Sequence, residues 1–166
     1  WYADMNASRT DRLTTDTTTI TRGTTTNANG DTVGCLSIVK KSTVGEGYPS
    51  GAELVVKVPR GTTPAHIKFK YKATTEGVSV VITARLVTVQ TFDSNGIPVF
   101  GDRVITSAAT TVTAGTTAAE YRSSTGLNVV QDYMAYDYVQ LSISLFNVPT
   151  GGAEVKIYDV LINKIG

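Results

Sequence analysis

The polar stretch Asp4-Met5-Asn6-Ala7-Ser8-Arg9-Thr10-Asp11 holds the groups needed to cut a peptide backbone from within. Ser8 could attack the carbonyl that precedes it in an N-to-O acyl shift, or Asn6 could cyclise onto its own backbone, with Asp4 or Asp11 as the general acid or base. The same groups are the ordinary content of a polar linker. Cleavage that happens only after assembly would take its remaining groups from a neighbouring subunit, so a lone chain would look inert.

Three further sets of residues could bind. Lys68, Lys70 and Lys72 alternate along one segment, with Lys40, Lys41 and Arg60 as possible neighbours. They suit an anion or nucleotide phosphate, or equally a solvated edge whose charge discourages strand-to-strand aggregation. Tyr133, Tyr136, Tyr138 and Tyr121 gather near one loop, and Tyr48 lies in another. Such rings serve as sugar platforms or as core and interface residues, because the apolar face of a pyranose stacks on an aromatic ring. Asp31, Asp93 and Asp159 are the carboxylates from which a structural Ca²⁺ could be held, which needs six or more converging oxygens.

His66 is the sole histidine and Cys35 the sole cysteine. A Ser-His-Asp relay would have to recruit His66, yet there is no Gly-x-Ser-x-Gly elbow. One His and one Cys cannot build a zinc site without distant carboxylates, and one cysteine excludes an intrachain disulfide. Cys35 is expected to be a buried apolar thiol in a strand. Neither a P-loop nor a dinucleotide-binding glycine turn is present, and no cofactor is required by any motif.

The elements that must position these residues are strands. His66 to Lys72 alternates strictly, with Ile67, Phe69 and Tyr71 on one face and the lysines on the other. Val139 to Leu145 alternates as cleanly, and Val33 to Val39, Ala52 to Val58 and Val155 to Ile162 also read as strands. Val78 to Gln90 is apolar on both parities, as in a central strand buried on both sides or bent by a bulge. Ser94-Asn95-Gly96 predicts a tight hairpin joining Val89–Phe92 to Ile97–Phe100. Thr106 to Ala119 forms weak strands around Gly115, and Gln131 to Asp137 could form one helical turn. The count is about eight or nine strands at spacings of roughly 8 to 15 residues, with no internal repeat, which predicts an all-β, two-sheet antiparallel sandwich of the jelly-roll kind. Residues 1–30, rich in threonine around Ile20, read as an extended arm or edge strand that needs a partner surface, in cis or from a neighbouring chain; residues 31–166 read as the sandwich.

Composition agrees. Only 17% of the 166 residues are charged, and roughly a sixth are threonine, a mixture that suits pleated half-buried surfaces. Fifteen basic and 14 acidic side chains nearly cancel, so no overall field favours nucleic acid or an anionic membrane. No run approaches the roughly 20 apolar residues of a membrane span, and no signal-peptide pattern opens the chain. A start at Trp1 reads as a fragment or processed product of something longer.

Four segments carry a resemblance: Ala65-His-Ile-Lys-Phe-Lys-Tyr-Lys-Ala, the Phe92-Asp-Ser-Asn-Gly hairpin, Tyr138-Val-Gln-Leu-Ser-Ile-Ser-Leu, and Val155-Lys-Ile-Tyr-Asp-Val-Leu-Ile. Their order resembles the galactose-binding-like jelly rolls that include many carbohydrate-binding modules, over about two thirds of the chain. That resemblance implies a glycan ligand, an extracellular setting, and in many members a bound Ca²⁺. The threonine-rich arm, the scarcity of charge and the fragment-like start also make the chain similar to C-terminal domains of bacteriophage tailspikes and neck appendages, notably of small Bacillus podoviruses. What this second resemblance implies is a virion component, made in the host cytoplasm, that forms homotrimers and acts as an autochaperone for the β-helical part of its own parent chain. It also implies autocleavage at the N-terminal boundary in some members, with ATP as an effector at sites such as the lysine strand.

Overall fold

The computed structural model describes residues 2–3, 19–40, 50–57, 65–94, 98–105, 110–123, 138–146, 148–149 and 151–164. Among them are eleven strands and no helix: β1 (Tyr2–Ala3), β2 (Thr19–Thr26), β3 (Thr32–Lys40), β4 (Ser50–Lys57), β5 (Ala65–Ala73), β6 (Val78–Phe92), β7 (Pro98–Ile105), β8 (Thr110–Ala114), β9 (Ala119–Arg122), β10 (Tyr138–Phe146) and β11 (Ala153–Lys164). Every pairing is antiparallel. Sheet A runs β1-β4-β10-β6-β7, with β8 also paired to β6, and sheet B runs β2-β3-β11-β5-β9. From β3 to β6, and again from β8 to β11, the chain passes from one sheet to the other at each connection, as a jelly roll requires.

Alternation dictates the core. Ile67, Phe69 and Tyr71 of β5, Leu36 and Ile38 of β3 and Val155 and Ile157 of β11 turn inward from sheet B. They meet Val78, Val80, Ile82 and Ala84 of β6, Leu141, Ile143 and Leu145 of β10 and Ala114 of β8 from sheet A. Burying one face of each sheet in this way is the main stabilising term of a sandwich.

β6 matches both sequence expectations. It lies between β10 and the β7/β8 edge, and its register against β7 shifts between Val87 and Val89 and again between Val89 and Thr91. Thr88 sits at the first shift. A Cβ on Gly101, in β7, would lie 2.4 Å from Thr88 Oγ1 and 3.4 Å from its Cβ. Gly101→Ala is therefore expected to cost about 1–3 kcal/mol by overpacking the bulge. The double variant Gly101→Ala/Thr88→Ala should recover most of that loss in thermal melts. An unchanged Tm for the single variant would show that the bulge is not closed by glycine.

Residues 19–26, in the region read as an arm or edge strand, form the edge strand of sheet B, because β2 pairs with β3 over its whole length. The turn between them explains why: Asn27 Oδ1 accepts the backbone N–H groups of Asn29 and Asp31, both at 2.9 Å, and Gly30 takes φ 87°. This side chain-to-backbone pattern pre-forms the reversal. Lys156 Nζ donates to Thr24 O at 3.2 Å and Lys72 Nζ to Thr26 O at 3.5 Å. A flat sheet would leave both carbonyls two or more strand spacings of about 4.8 Å away, so the hairpin tip curls over the outer face of sheet B. Cys35 and Tyr158, which alternate away from the main core, are buried on that face. Burial pushes the Cys35 thiol pKa up, with the Lys156 ammonium pulling the other way.

A second corner is clasped by Glu76, in the β5–β6 turn. Its carboxylate accepts the backbone N–H of Thr116 at 2.7 Å and also the Thr116 hydroxyl, which hold its pKa below the ordinary carboxylate value. Ala73 N donates to Gly115 O at 2.7 Å beside it. The short link from β8 to β9 is thereby fixed as the chain changes sheets.

Candidate functional site

The lysine strand is arranged as the alternation predicts, with Ile67, Phe69 and Tyr71 buried and the three lysines half-buried on the outer face of sheet B. Each ammonium is already engaged. Lys68 meets Glu120 at 3.2 Å, Lys70 meets Asp159 at 3.2 Å, and Lys72 holds the Thr26 carbonyl. Arg122 also contacts Glu120 at 3.2 Å, and Lys68 and then Arg122 hold the Glu120 carboxyl below its ordinary pKa. A phosphate would have to displace these partners. Asp159 sits at φ 52° where β11 shifts register between Tyr158 and Leu161, a backbone conformation that Asp tolerates better than most residues.

Of the tyrosines near one loop, the two that the structure describes, Tyr121 and Tyr138, lie in different sheets. Tyr121 lies on β9 in sheet B, stacked on Phe69 with ring centroids 4.9 Å apart at 29°, and burial raises its pKa while a hydrogen bond with Thr110 lowers it. Tyr138 starts β10 in sheet A. Tyr133, Tyr136 and Tyr48 lie outside the described residues, as do Asp4, Asn6, Ser8 and Asp11 and the segment 131–137. The three aspartates occupy three separate elements: the β2–β3 turn, the end of β6 and the irregularity in β11. Among the described residues no group of three or more His, Cys, Asp or Glu could hold a metal ion. His66 is placed in β5, opposite Asn163 of β11.

What the fold does bring together is the outer face of sheet A. Leu141, Ile143 and Leu145 point into the core, so Tyr138, Gln140, Ser142 and Ser144 share the opposite face of β10. Gln140 is 0% exposed and engaged within the protein, and Ser142 and Ser144 are buried too. Thr83 and Val81, their neighbours on β6, are half-buried. A central floor of amide and hydroxyl groups on the outer side of a sandwich contrasts with the apolar packing of the inner side.

At one end of this floor stands an aromatic pair. Phe92 meets Tyr138 edge to face, with centroids 6.3 Å apart and planes at 66°, and Phe92 is 49% exposed. Phe92 closes β6 opposite Pro98, and the two register shifts in β6 re-aim the strand just before it. Along the sequence Phe92 stands out only as the start of a hairpin. An aromatic residue next to a tight turn is a weak sign of a platform, and its meeting with a tyrosine 46 positions away (138 − 92) is not visible along the chain.

A comparison by sequence finds no matching protein family and no matching characterised protein. Comparison by fold does find counterparts. A CBM4 carbohydrate-binding structure matches 90% of this chain with TM-score 0.53 and 15% identity, and this chain covers 79% of it. The enzymatically active domain of tailspike protein 4 from bacteriophage CBA120 matches 91% of this chain with TM-score 0.50 and 15% identity. The chain spans 19% of the length of that solved domain. This is the jelly-roll sandwich fold. At such identity the likeness establishes architecture, and function has to be argued from the face just described. Among the described residues no helix is long and apolar enough to cross a membrane.

Proposed function

We propose that this chain is a carbohydrate-binding β-sandwich module whose ligand stacks on the exposed Phe92 ring at the edge of sheet A. The observation that carries the reading is the half-exposed Phe92 ring packed edge to face on Tyr138 beside a polar floor. A pyranose presents an apolar C–H face and a rim of hydroxyls; the first stacks on the exposed ring and leaves the second to polar partners around it. Because both rings are borne on paired strands, little ordering free energy is spent on binding. The architecture shared with a CBM4 structure supports the reading. Native affinity electrophoresis of the intact chain through gels containing a panel of soluble polysaccharides tests it. Retardation by at least one polysaccharide is expected; a folded chain that migrates unchanged in every gel removes the proposal.

A second reading is favoured by the edge of sheet B. β2 ends that sheet, and most of its threonine-rich length is exposed. A long exposed edge is a template for a strand from another chain. On this reading the chain is a homotrimer-forming domain of a phage tailspike or appendage that templates its parent's β-helical part as an autochaperone, with autocleavage near Asp4–Asp11. The tailspike counterpart in fold supports it. Size-exclusion chromatography with light scattering should then give a trimer, and a strict monomer at high concentration counts against it. Processing is read by mass spectrometry of a longer chain, in which Ser8→Ala or Asn6→Ala should leave the boundary uncut.

A further inference from the structure

The tip of the β2–β3 hairpin is built to bend and is tied down at its free edge. Gly23 stands opposite Cys35 and Gly34 opposite Thr24, on neighbouring rungs of the ladder. A glycine inside a strand marks a bend, and this pair puts the bend in both strands at once. Beyond it the tip is one rigid unit, because Asn27 accepts the N–H groups of Asn29 and Asp31 and donates to the Asp31 carboxylate at 3.2 Å. The Asn27 N–H also donates to Asp31 O at 2.9 Å, which fixes the phase of the ladder. Odd-numbered residues of β2 therefore bond to β3, while Ile20, Arg22, Thr24 and Thr26 direct their backbone groups to the free edge of sheet B. The Thr24 and Thr26 carbonyls, which accept Lys156 and Lys72, are thus two of the four outward acceptors that an added strand would use.

Packing alone does not explain this closure. Lys72 and Lys156 are paired directly with each other, a like-charge pairing that is unfavourable unless both ammonium groups are drawn away to acceptors. Thr25, Cys35 and Tyr158 are buried on the same outer face of sheet B. The hydroxyls of Thr25 and Tyr158 have no hydrogen-bond partner among the described residues, so burying them costs desolvation that opening would return. The closed tip is therefore held against a local cost, and the two lysines are the groups that hold it.

We propose that residues 24–33 form a strap that Lys72 and Lys156 latch across the outer face of sheet B, and that the latch keeps a strand of a second copy of this chain from pairing with the C-terminal half of β2. The strap is independent of the carbohydrate reading, and on the assembly reading it confines the open edge to Ile20 and Arg22. Cys35 is the sole thiol, and its Sγ lies 3.6 Å from where a Cβ on Gly23 would stand, so its alkylation by iodoacetamide under native conditions, read by mass spectrometry, reports opening. Lys72→Gln/Lys156→Gln should be alkylated about tenfold faster than the parent or more, with a nearly unchanged melting curve. Losing two ammonium groups near the thiol would by itself slow alkylation by disfavouring the thiolate, so a faster reaction reads exposure. In reductant at high protein concentration, light scattering should show self-association of the double variant beyond that of the parent. Lys68→Gln/Lys70→Gln, on the same face, should match the parent in both measurements. Should the double variant fail to fold, Lys156→Gln alone gives the same reading with a smaller rise. An unchanged alkylation rate would overturn the latch, as would a rise no larger than the loss of global stability measured by denaturant unfolding. Faster alkylation with no added association would overturn the blocking of the edge.

Discussion

Replacing Phe69 by alanine is expected to lower the stability of this domain by about 3–5 kcal/mol, and its Tm by roughly 6–20 °C for a chain of this size. Phe69 is fully buried at the middle of β5, stacked on Tyr121 and edge-on to Tyr71 at 6.2 Å and 65°. Its removal takes away the apolar area, opens a cavity between the sheets and loosens β9. That strand is only four residues long and is tied to β5 by its ladder, the Tyr121 stack and the Lys68–Glu120 pair. The contrast is Lys68→Met, which breaks an ion pair that is more than a third exposed on both sides and should change stability by less than about 1 kcal/mol. Thermal and guanidinium unfolding followed by circular dichroism compare the two. If Phe69→Ala melted within a degree or two of the parent, the two-sheet core described here would be wrong.

Phe92→Ala is expected to do the opposite: leave the melting curve nearly unchanged and weaken polysaccharide binding by about 10- to 100-fold. The ring is 49% exposed, so its truncation creates no cavity, yet it is the accessible half of the aromatic pair on the outer face of sheet A. Val99 serves as the matched control. It lies in the same hairpin, opposite Thr91, and is 43% exposed, so Val99→Ala trims exposed apolar surface outside the aromatic pair and should alter neither property. Tyr138→Phe should keep most of the affinity if stacking dominates, whereas Tyr138→Ala should lose it. Undiminished affinity in Phe92→Ala would place the ligand elsewhere on the molecule.

How much of this was visible along the chain differs from element to element. The strand from Ala65 to Ala73 was readable residue by residue, because a period of two is a local property. Ile67, Phe69 and Tyr71 are inside and the three lysines outside as that period demands. β6 was readable as two-sided because Val81, Val87 and Val89 stand on one parity of the sequence and Val80, Ile82 and Leu86 on the other. The threonines of β2 were harder to place. Threonine is as compatible with a free extended arm as with an edge strand, and the choice was made by the Asn27 turn and by the ladder that β3 offers.

The composition and alternation of this sequence therefore determined an all-β sandwich and the identity of its core faces, since each depends on neighbours a few residues apart, while the Asn95-Gly96 turn lies outside the described residues. Only the tertiary structure decided what the polar and aromatic residues do. Lys68 finds Glu120, Lys70 finds Asp159, and Phe92 finds Tyr138, each across a gap of more than 40 residues. Those meetings are set by strand order, register and the bulges in β6 and β11, and nothing local to either partner encodes the distance at which the other will stand.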